Sequence, residues 1–201
     1  MEKTRSGSLH TQSFRTEALR KSIHFLIALV PLIAAIHFPF AVLLLIAGIS
    51  GYAIMELLRL SGIKIPLISV LTVMASRERD SGRFVLGPIT LGTGALAALL
   101  LFPAPASDIA IFALAFGDGF AGLTGALFGN YRPAFLCGKS AEGSFACFAA
   151  VYTSAWLVSH SFTVSLAAAA AAALAEALPL RDYDNIVLPL AVGAVVQLVM
   201  R

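Results

Sequence analysis

The chain alternates between long apolar runs and short polar breaks. Apolar runs extend from about Ser22 to His37, Phe40 to Leu58, Val85 to Phe102, Ile109 to Gly129, Ser144 to Val158, Phe162 to Leu178 and Ile186 to Met200. A helix needs about 20 apolar residues to cross a hydrocarbon core of about 30 Å, and the first run sits at the lower edge of that range. The breaks carry turn chemistry: His37-Phe-Pro39, Pro103-Ala-Pro105, Ser159-His-Ser161 and the polar segment from Pro179 to Asn185. Pro31 is expected to kink the first run. This pattern predicts an all-α, polytopic transmembrane helix bundle of about seven spans.

Two polar stretches do not fit a span. Met1 to Arg20 is rich in basic residues, and Ser13 to Lys21 reads as an amphipathic interfacial helix. Residues 1–21 are therefore taken as a cytoplasmic arm and residues 22–201 as a single membrane domain. The segment from about Leu60 to Phe84 is polar, with a more apolar first part, Ile63 to Ala75, that reads as a surface helix or a partly inserted one. The N-terminal apolar run continues without a small-residue cleavage site, so it is expected to stay as the first span.

Composition agrees with the pattern. The 201 residues are 59% hydrophobic and 12% charged, too apolar for a soluble domain. The formal charge of +3 does not point to nucleic acid, because the basic residues stand at the ends of apolar runs. With the N-terminus inside, the arm, the 60–84 segment, the loop holding Arg132 and Lys139, and the loop holding Arg181 all fall on the cytoplasmic side. The connections at His37, Pro103 and Ser159 contain no Lys or Arg, and only Arg201 falls outside. This asymmetry predicts an inner-membrane protein with a cytoplasmic N-terminus. Cys137 and Cys147 form no zinc or disulfide framework, and no feature of the sequence sets an oligomeric state.

The candidate chemistry clusters late in the chain. Asp118 lies inside an apolar run, where a carboxylate usually faces a bundle interior or a watery cavity. Gly117, Ala121, Gly125 and Gly129 recur at every fourth position and so share one helix face, as in a close helix-packing seam. Lys139, Glu142, Glu176, Asp182 and Asp184 fall at the cytoplasmic ends of the fourth to seventh spans. Such a set suits a polyphosphate. Carboxylates hold Mg²⁺, which bridges phosphate oxygens. Lysine offsets phosphate charge, and amides at a helix start such as Gly143-Ser144 cradle it. Glu142 and Ser144 fit helix capping equally well, and Asp184-Asn185 could be an ordinary helix cap, although their pairing with Glu176 favours a site. Neither a Walker A loop nor a kinase glycine loop is present. Read as an unpaired charge, Asp118 burdens its span, so Asp118→Asn is expected to abolish turnover while stability holds or rises slightly.

Gly117-Asp118 with Ala121, Gly125 and Gly129, then Lys139 with Glu142-Gly143-Ser144, then Glu176, then Asp184-Asn185 with Pro189, follow one another across the chain. Arg20-Lys21 and His24 precede them, with Glu56 and Arg59 as looser matches. In this order the sequence resembles the CTP-dependent polyprenol kinases: dolichol kinases, phytol kinases and the yeast-type diacylglycerol kinase. The resemblance implies transfer of the γ-phosphate of CTP to the hydroxyl of a polyprenol, another isoprenoid alcohol or diacylglycerol in the lipid bilayer. It implies Mg²⁺ held by Asp118 and Asp184, phosphate held by Lys139, Gly143 and Ser144, and a hydroxyl proton taken by Glu176 or Asp118. Gly117, Glu142 and Asn185 complete the expected nucleotide site.

Two other classes compete. Phosphatidate cytidylyltransferases, which make CDP-lipids, are similar to this family, but the Pro-Gly-His-Gly-Gly stretch associated with them is absent. A transporter coupling ions through an intramembrane acid would favour acids near the midplane over acids gathered at one face.

Overall fold

The computed structural model describes residues 17–63 and 83–201. Among these residues every regular element is helical and none is a strand. The segment expected over Ile63 to Ala75 lies almost wholly outside the described residues, as does the first part, residues 13–16, of the amphipathic segment from Ser13.

The helices are α1 (residues 17–27), α2 (Leu29–Leu60), α3 (Gly87–Leu101), α4 (Ala106–Phe112), α5 (Asp118–Phe128), α6 (Ala141–Ser159), α7 (Phe162–Ala177) and α8 (Asp184–Val199). A π-helical turn, Ala113–Gly117, joins α4 to α5. Short 3-10 turns, Ala134–Leu136 and Arg181–Tyr183, lead into α6 and α8. Three helical segments among the described residues are long and apolar enough to cross a membrane: Glu17–Leu60, Ala106–Phe128 and Arg181–Val199. Gly87–Leu101 and Phe162–Ala177 are apolar but shorter.

The 44-residue segment Glu17–Leu60 is not a straight rod. At 1.5 Å per residue a straight one would run about 66 Å, more than twice a hydrocarbon core. Two breaks interrupt it. Ala28 forms a single turn between α1 and α2, with its N–H on Phe25 O at 3.1 Å. Pro31 explains the break, since it cannot donate to the carbonyl of Ile27 and its ring crowds that turn. His37 has φ −152° and ψ 90°, outside the helical region. Its Nδ1 accepts the N–H of Phe40 at 3.1 Å, so the imidazole caps the second limb of α2. Pro39 sits in the first turn of that limb, where a missing N–H costs little. The chain folds back here. Glu56, near the end of α2, accepts the N–H of Val85 at 2.9 Å. His24 of α1 reaches Asn185 at 3.2 Å, and Asn185 donates to Gly87 O at 3.4 Å. Both ends of the hairpin therefore meet the start of α3.

The interior has two apolar clusters. One joins α2, α3 and α4 through Val30, Ala41, Leu45, Leu91, Ala95 and Ile111. The other joins α6, α7 and α8, where Ala168, Ala169 and Ala172 have no exposed surface and meet Val151, Ala155, Val192 and Val196. The alanine run is a packing layer, as the small side chains suggest, because alanines let helices approach closely. The outside is apolar as well: Ile36, Leu43, Leu101, Leu174 and Leu198 are all exposed. Exposed apolar faces of this extent suit hydrocarbon, not water.

Candidate functional site

The π-turn positions the key acid. Its wider coil carries the N–H of Asp118 back to Ala113 O, five residues earlier. Such turns are frequent at functional sites. Beyond it α5 presents two small-residue faces. Gly117 lies against Val151 and Cys147, and Gly125 lies against Ser140, all on or beside α6. A Cβ on Gly143 of α6 would come within 2.9 Å of Ala121 O. The every-fourth seam is thus the α5–α6 contact. Gly119 and Gly122 face α1 instead: a Cβ on Gly119 would meet the Phe25 ring at 2.7 Å, and one on Gly122 would meet Lys21 Cε at 2.3 Å. Phe25 also packs on Phe116 and Phe120, with ring centroids 6.1 and 5.3 Å apart.

Asp118 is buried and paired. Lys21 Nζ donates to its Oδ2, and His24 Nε2 lies 2.9 Å from the same oxygen. Among the described residues Oδ1 takes no hydrogen bond. Lys21 itself is only 1% exposed, so the pair is desolvated. His24 Nδ1 lies 3.2 Å from Arg20 O, and its Nε2 lies 3.2 Å from Asn185 Oδ1. Arg20 is held by both carboxylate oxygens of Glu17, at 3.2 and 2.5 Å. These contacts correct the reading of Asp118 as an unpaired charge; α1 supplies its partners.

A cavity of about 300 Å³ opens beside this pair. Its lining brings four cations, Arg20, Lys21, Arg132 and Lys139, together with four acids, Glu17, Asp118, Glu176 and Asp184. Glu176 is a node on its wall. Lys139 Nζ lies 3.1 Å from Glu176 Oε1 and also donates to Glu176 O. Ser144 Oγ donates to Glu176 Oε2 at 2.9 Å. The loop before α6 and the end of α7 are joined through this node.

The cavity gathers Asp118, Lys139, Glu176, Asp184 and Gly143 from the residues expected at the site. It leaves out Gly117, Glu142, Ser144 and Asn185. Gly117 faces α6 in the seam. Glu142 accepts the amides of Asn130 and Tyr131 at 3.1 Å each, which pins the preceding loop. Asn185 is a buried knot: beyond His24, its Nδ2 donates to Thr90 Oγ1 at 3.0 Å. The expected phosphate cradle at the start of α6 is also occupied. Ser140 is the N-cap, its Oγ accepting Gly143 N–H at 3.1 Å, while Ser144 N–H bonds Ser140 O at 3.0 Å and Ala141 N–H bonds Tyr131 O at 2.9 Å. With those donors satisfied, an anion must be met by side chains.

Sequence reading placed Glu17, Arg20 and Lys21 in an arm and gave Arg132 a topology role; the structure puts all four on the cavity wall. The available signal was the Arg20-Lys21-x-x-His24 cluster at the edge of the first apolar run. Its helical spacing sets Lys21 and His24 nearly on one face. Its distance in sequence from Asp118 hid the pairing.

Among the described residues no group of three or more His, Cys, Asp or Glu forms a ready-made metal cage. That chemistry still fits Mg²⁺ arriving with a polyphosphate, since Mg²⁺ is usually held by one or two carboxylates plus substrate oxygens and water. Asp118 and Asp184 line one cavity. No protein-family model, curated protein or solved structure matches the chain.

Proposed function

We propose that the protein is a membrane lipid-alcohol kinase that transfers the γ-phosphate of CTP to a lipid hydroxyl at the cytoplasmic face. The observation that carries this reading is the single cavity that gathers Asp118, Lys139, Glu176 and Asp184 with three further cations at one end of the bundle. The motif order described in the sequence supports the donor and acceptor classes. In this reading the chain crosses the inner membrane about seven times, with the α1–α2 hairpin making two crossings and the cavity facing the cytoplasm. The Lys/Arg asymmetry supports that orientation.

Phosphoryl transfer asks mainly for positioning and charge neutralisation. Lys139, Arg20 and Arg132 would neutralise the phosphate chain from three sides. Lys21 and His24 hold Asp118 through Oδ2, so Oδ1 would be the oxygen offered to the ligand. Asp118 and Asp184 would hold Mg²⁺, which would supply charge neutralisation for the phosphates. Glu176, held in place by Lys139 and Ser144, would accept the hydroxyl proton. A cavity of about 300 Å³ is at the small end for a ligand site, so it suits the triphosphate better than a whole nucleotide.

The test is turnover by purified protein with Mg²⁺ and either CTP or ATP, against polyprenols, shorter isoprenoid alcohols and diacylglycerol. CDP and a phosphorylated lipid are expected, with CTP preferred. Pyrophosphate release would establish a CDP-lipid synthase instead. No nucleotide turnover with any member of the panel would sink both readings.

A further inference from the structure

The loop between α5 and α6 distributes its side chains against the rule for a loop in water. From Leu127 to Phe145 only Arg132, Lys139 and Glu142 carry charge, and all three are tied internally. Arg132 donates to Gly138 O at 2.7 Å and to Gly125 O at 3.2 Å. Lys139 is held at Glu176, and Glu142 by the amides of Asn130 and Tyr131. The large apolar and aromatic side chains are strongly exposed beside Asn130 and Arg132: Leu127 at 47%, Phe128 at 62%, Tyr131 at 65%, Phe135 at 77% and Phe145 at 72%. The backbone beneath them is fixed. Leu136 N–H bonds Pro133 O at 3.0 Å, Lys139 N–H bonds Leu136 O at 2.9 Å, and Ala141 N–H closes on Tyr131 O. A braced loop that ties its few charges to its own backbone and neighbours and shows its rings is built for an interfacial neighbour, where an exposed Arg132 can reach the headgroups.

The place of the loop identifies that neighbour. Leu127 and Phe128 end Ala106–Phe128, a segment of membrane-crossing length, so the patch begins where that segment leaves the hydrocarbon. Aromatic side chains concentrate at this level, with their rings among the lipid headgroups. The patch's single exposed charged side chain, Arg132, is a cation, which suits anionic lipid headgroups at the same level.

We propose that this loop is an interfacial wedge. Phe128, Tyr131, Phe135 and Phe145 insert at the headgroup–acyl boundary of the cytoplasmic leaflet and hold the cavity rim, Gly138 to Ser140, at that depth. A lipid hydroxyl then meets the cavity from the side, within the leaflet. That last consequence rests on the kinase reading; the depth of the loop does not.

Depth-dependent quenching tests it. Trp156 is the single tryptophan of the chain, and Trp156→Phe keeps its ring stacking on Tyr152. In that background Phe135→Trp places one reporter on the loop of the full chain. The protein is reconstituted in phosphatidylcholine vesicles carrying bromine near either the glycerol end or the methyl end of an acyl chain. The expected result is blue-shifted emission, stronger quenching by the shallow bromine than by the deep one, and little quenching by dissolved iodide. Water-like emission quenched by iodide alone would overturn the proposal, as would stronger quenching by the deep bromine. Blue emission insensitive to both bromolipids would overturn it in favour of a second copy of the chain covering the patch. Phe145→Trp in the same background guards against local misfolding at Phe135 and must agree. No nucleotide enters the measurement, so loss of the kinase reading would leave this result standing, and the reverse holds too.

Discussion

The pairing of Lys21 with Asp118 decides what a substitution at either residue does. Asp118→Asn leaves a lysine that is 1% exposed without its carboxylate. Breaking one side of a buried pair costs about 3–5 kcal/mol, so this variant should melt well below the parent in the same detergent. Lys21→Met together with Asp118→Leu removes both charges and should recover most of that loss, because buried pairs replaced by apolar residues are often neutral or better. The double variant should still show no turnover per folded molecule. Recovered activity alongside recovered stability would take Asp118 out of the chemistry. Lys139 differs, since its side chain is 27% exposed and sits at the cavity edge. Lys139→Met should lose most turnover and lower the melting temperature less than Asp118→Asn does, because buried Glu176 keeps Ser144 as a partner. At this scale the sequence was partly legible. An acid in an apolar run singles out Asp118 by its cost alone. Lys21 stood out less, because a lysine at the edge of a span is normally a topology charge and only tertiary packing makes it a partner.

Helix crossings set a second group of outcomes. A Cβ on Gly94 of α3 would fall 1.9 Å from Asn185 O, in the first turn of α8 beside Asp184. Gly94→Ala must push α8 away, with an overpacking cost of about 1–3 kcal/mol, and should lower activity by displacing Asp184. Gly51 of α2 has nothing within 4 Å of the same position. Gly51→Ala should therefore raise stability by about 0.5–1 kcal/mol through helix propensity and leave turnover unchanged. Thermal melts of the two variants side by side check the contrast. At the end of α2, Glu56 is wholly buried and takes Arg59 through both oxygens, each at 2.8 Å, as well as Val85 N–H. Glu56→Ala should speed hydrogen exchange at the Val85 amide before it affects the far side of the bundle. The period-four glycines announced close packing in the sequence, and the structure adds which helix each one meets. Gly117, Gly125 and Gly143 share the α5–α6 seam, whereas Gly119 and Gly122 of α5 meet α1. Period alone cannot divide one helix face between two partners.

For the whole molecule, the apolar pattern located the helices to within a few residues, including the reversal at His37. It did not foresee the joining of two apolar runs into one 44-residue helical segment, because one non-helical residue suffices to turn the chain. The π-turn before Asp118 was likewise silent, since an extra residue in a helical coil leaves no compositional trace. Orientation makes a direct prediction. In a chain with both native cysteines replaced by alanine, His160→Cys and Tyr183→Cys lie on exposed loops at opposite ends of α7. An impermeant maleimide added to intact cells should label His160→Cys and reach Tyr183→Cys only after the membrane is opened. Labelling of both from outside would remove the cytoplasmic placement of the cavity.

The 97-position separation of Lys21 and Asp118 also gives the site a history. Chains emerge at about 5–20 residues per second, so Lys21 is made roughly 5–20 seconds before its counter-charge exists. Until α5 arrives, the first hairpin must keep that ammonium at the aqueous edge of the bilayer. The site therefore closes late around residues made early, and a nascent chain halted before Asp118 should be a ready target for quality-control proteolysis.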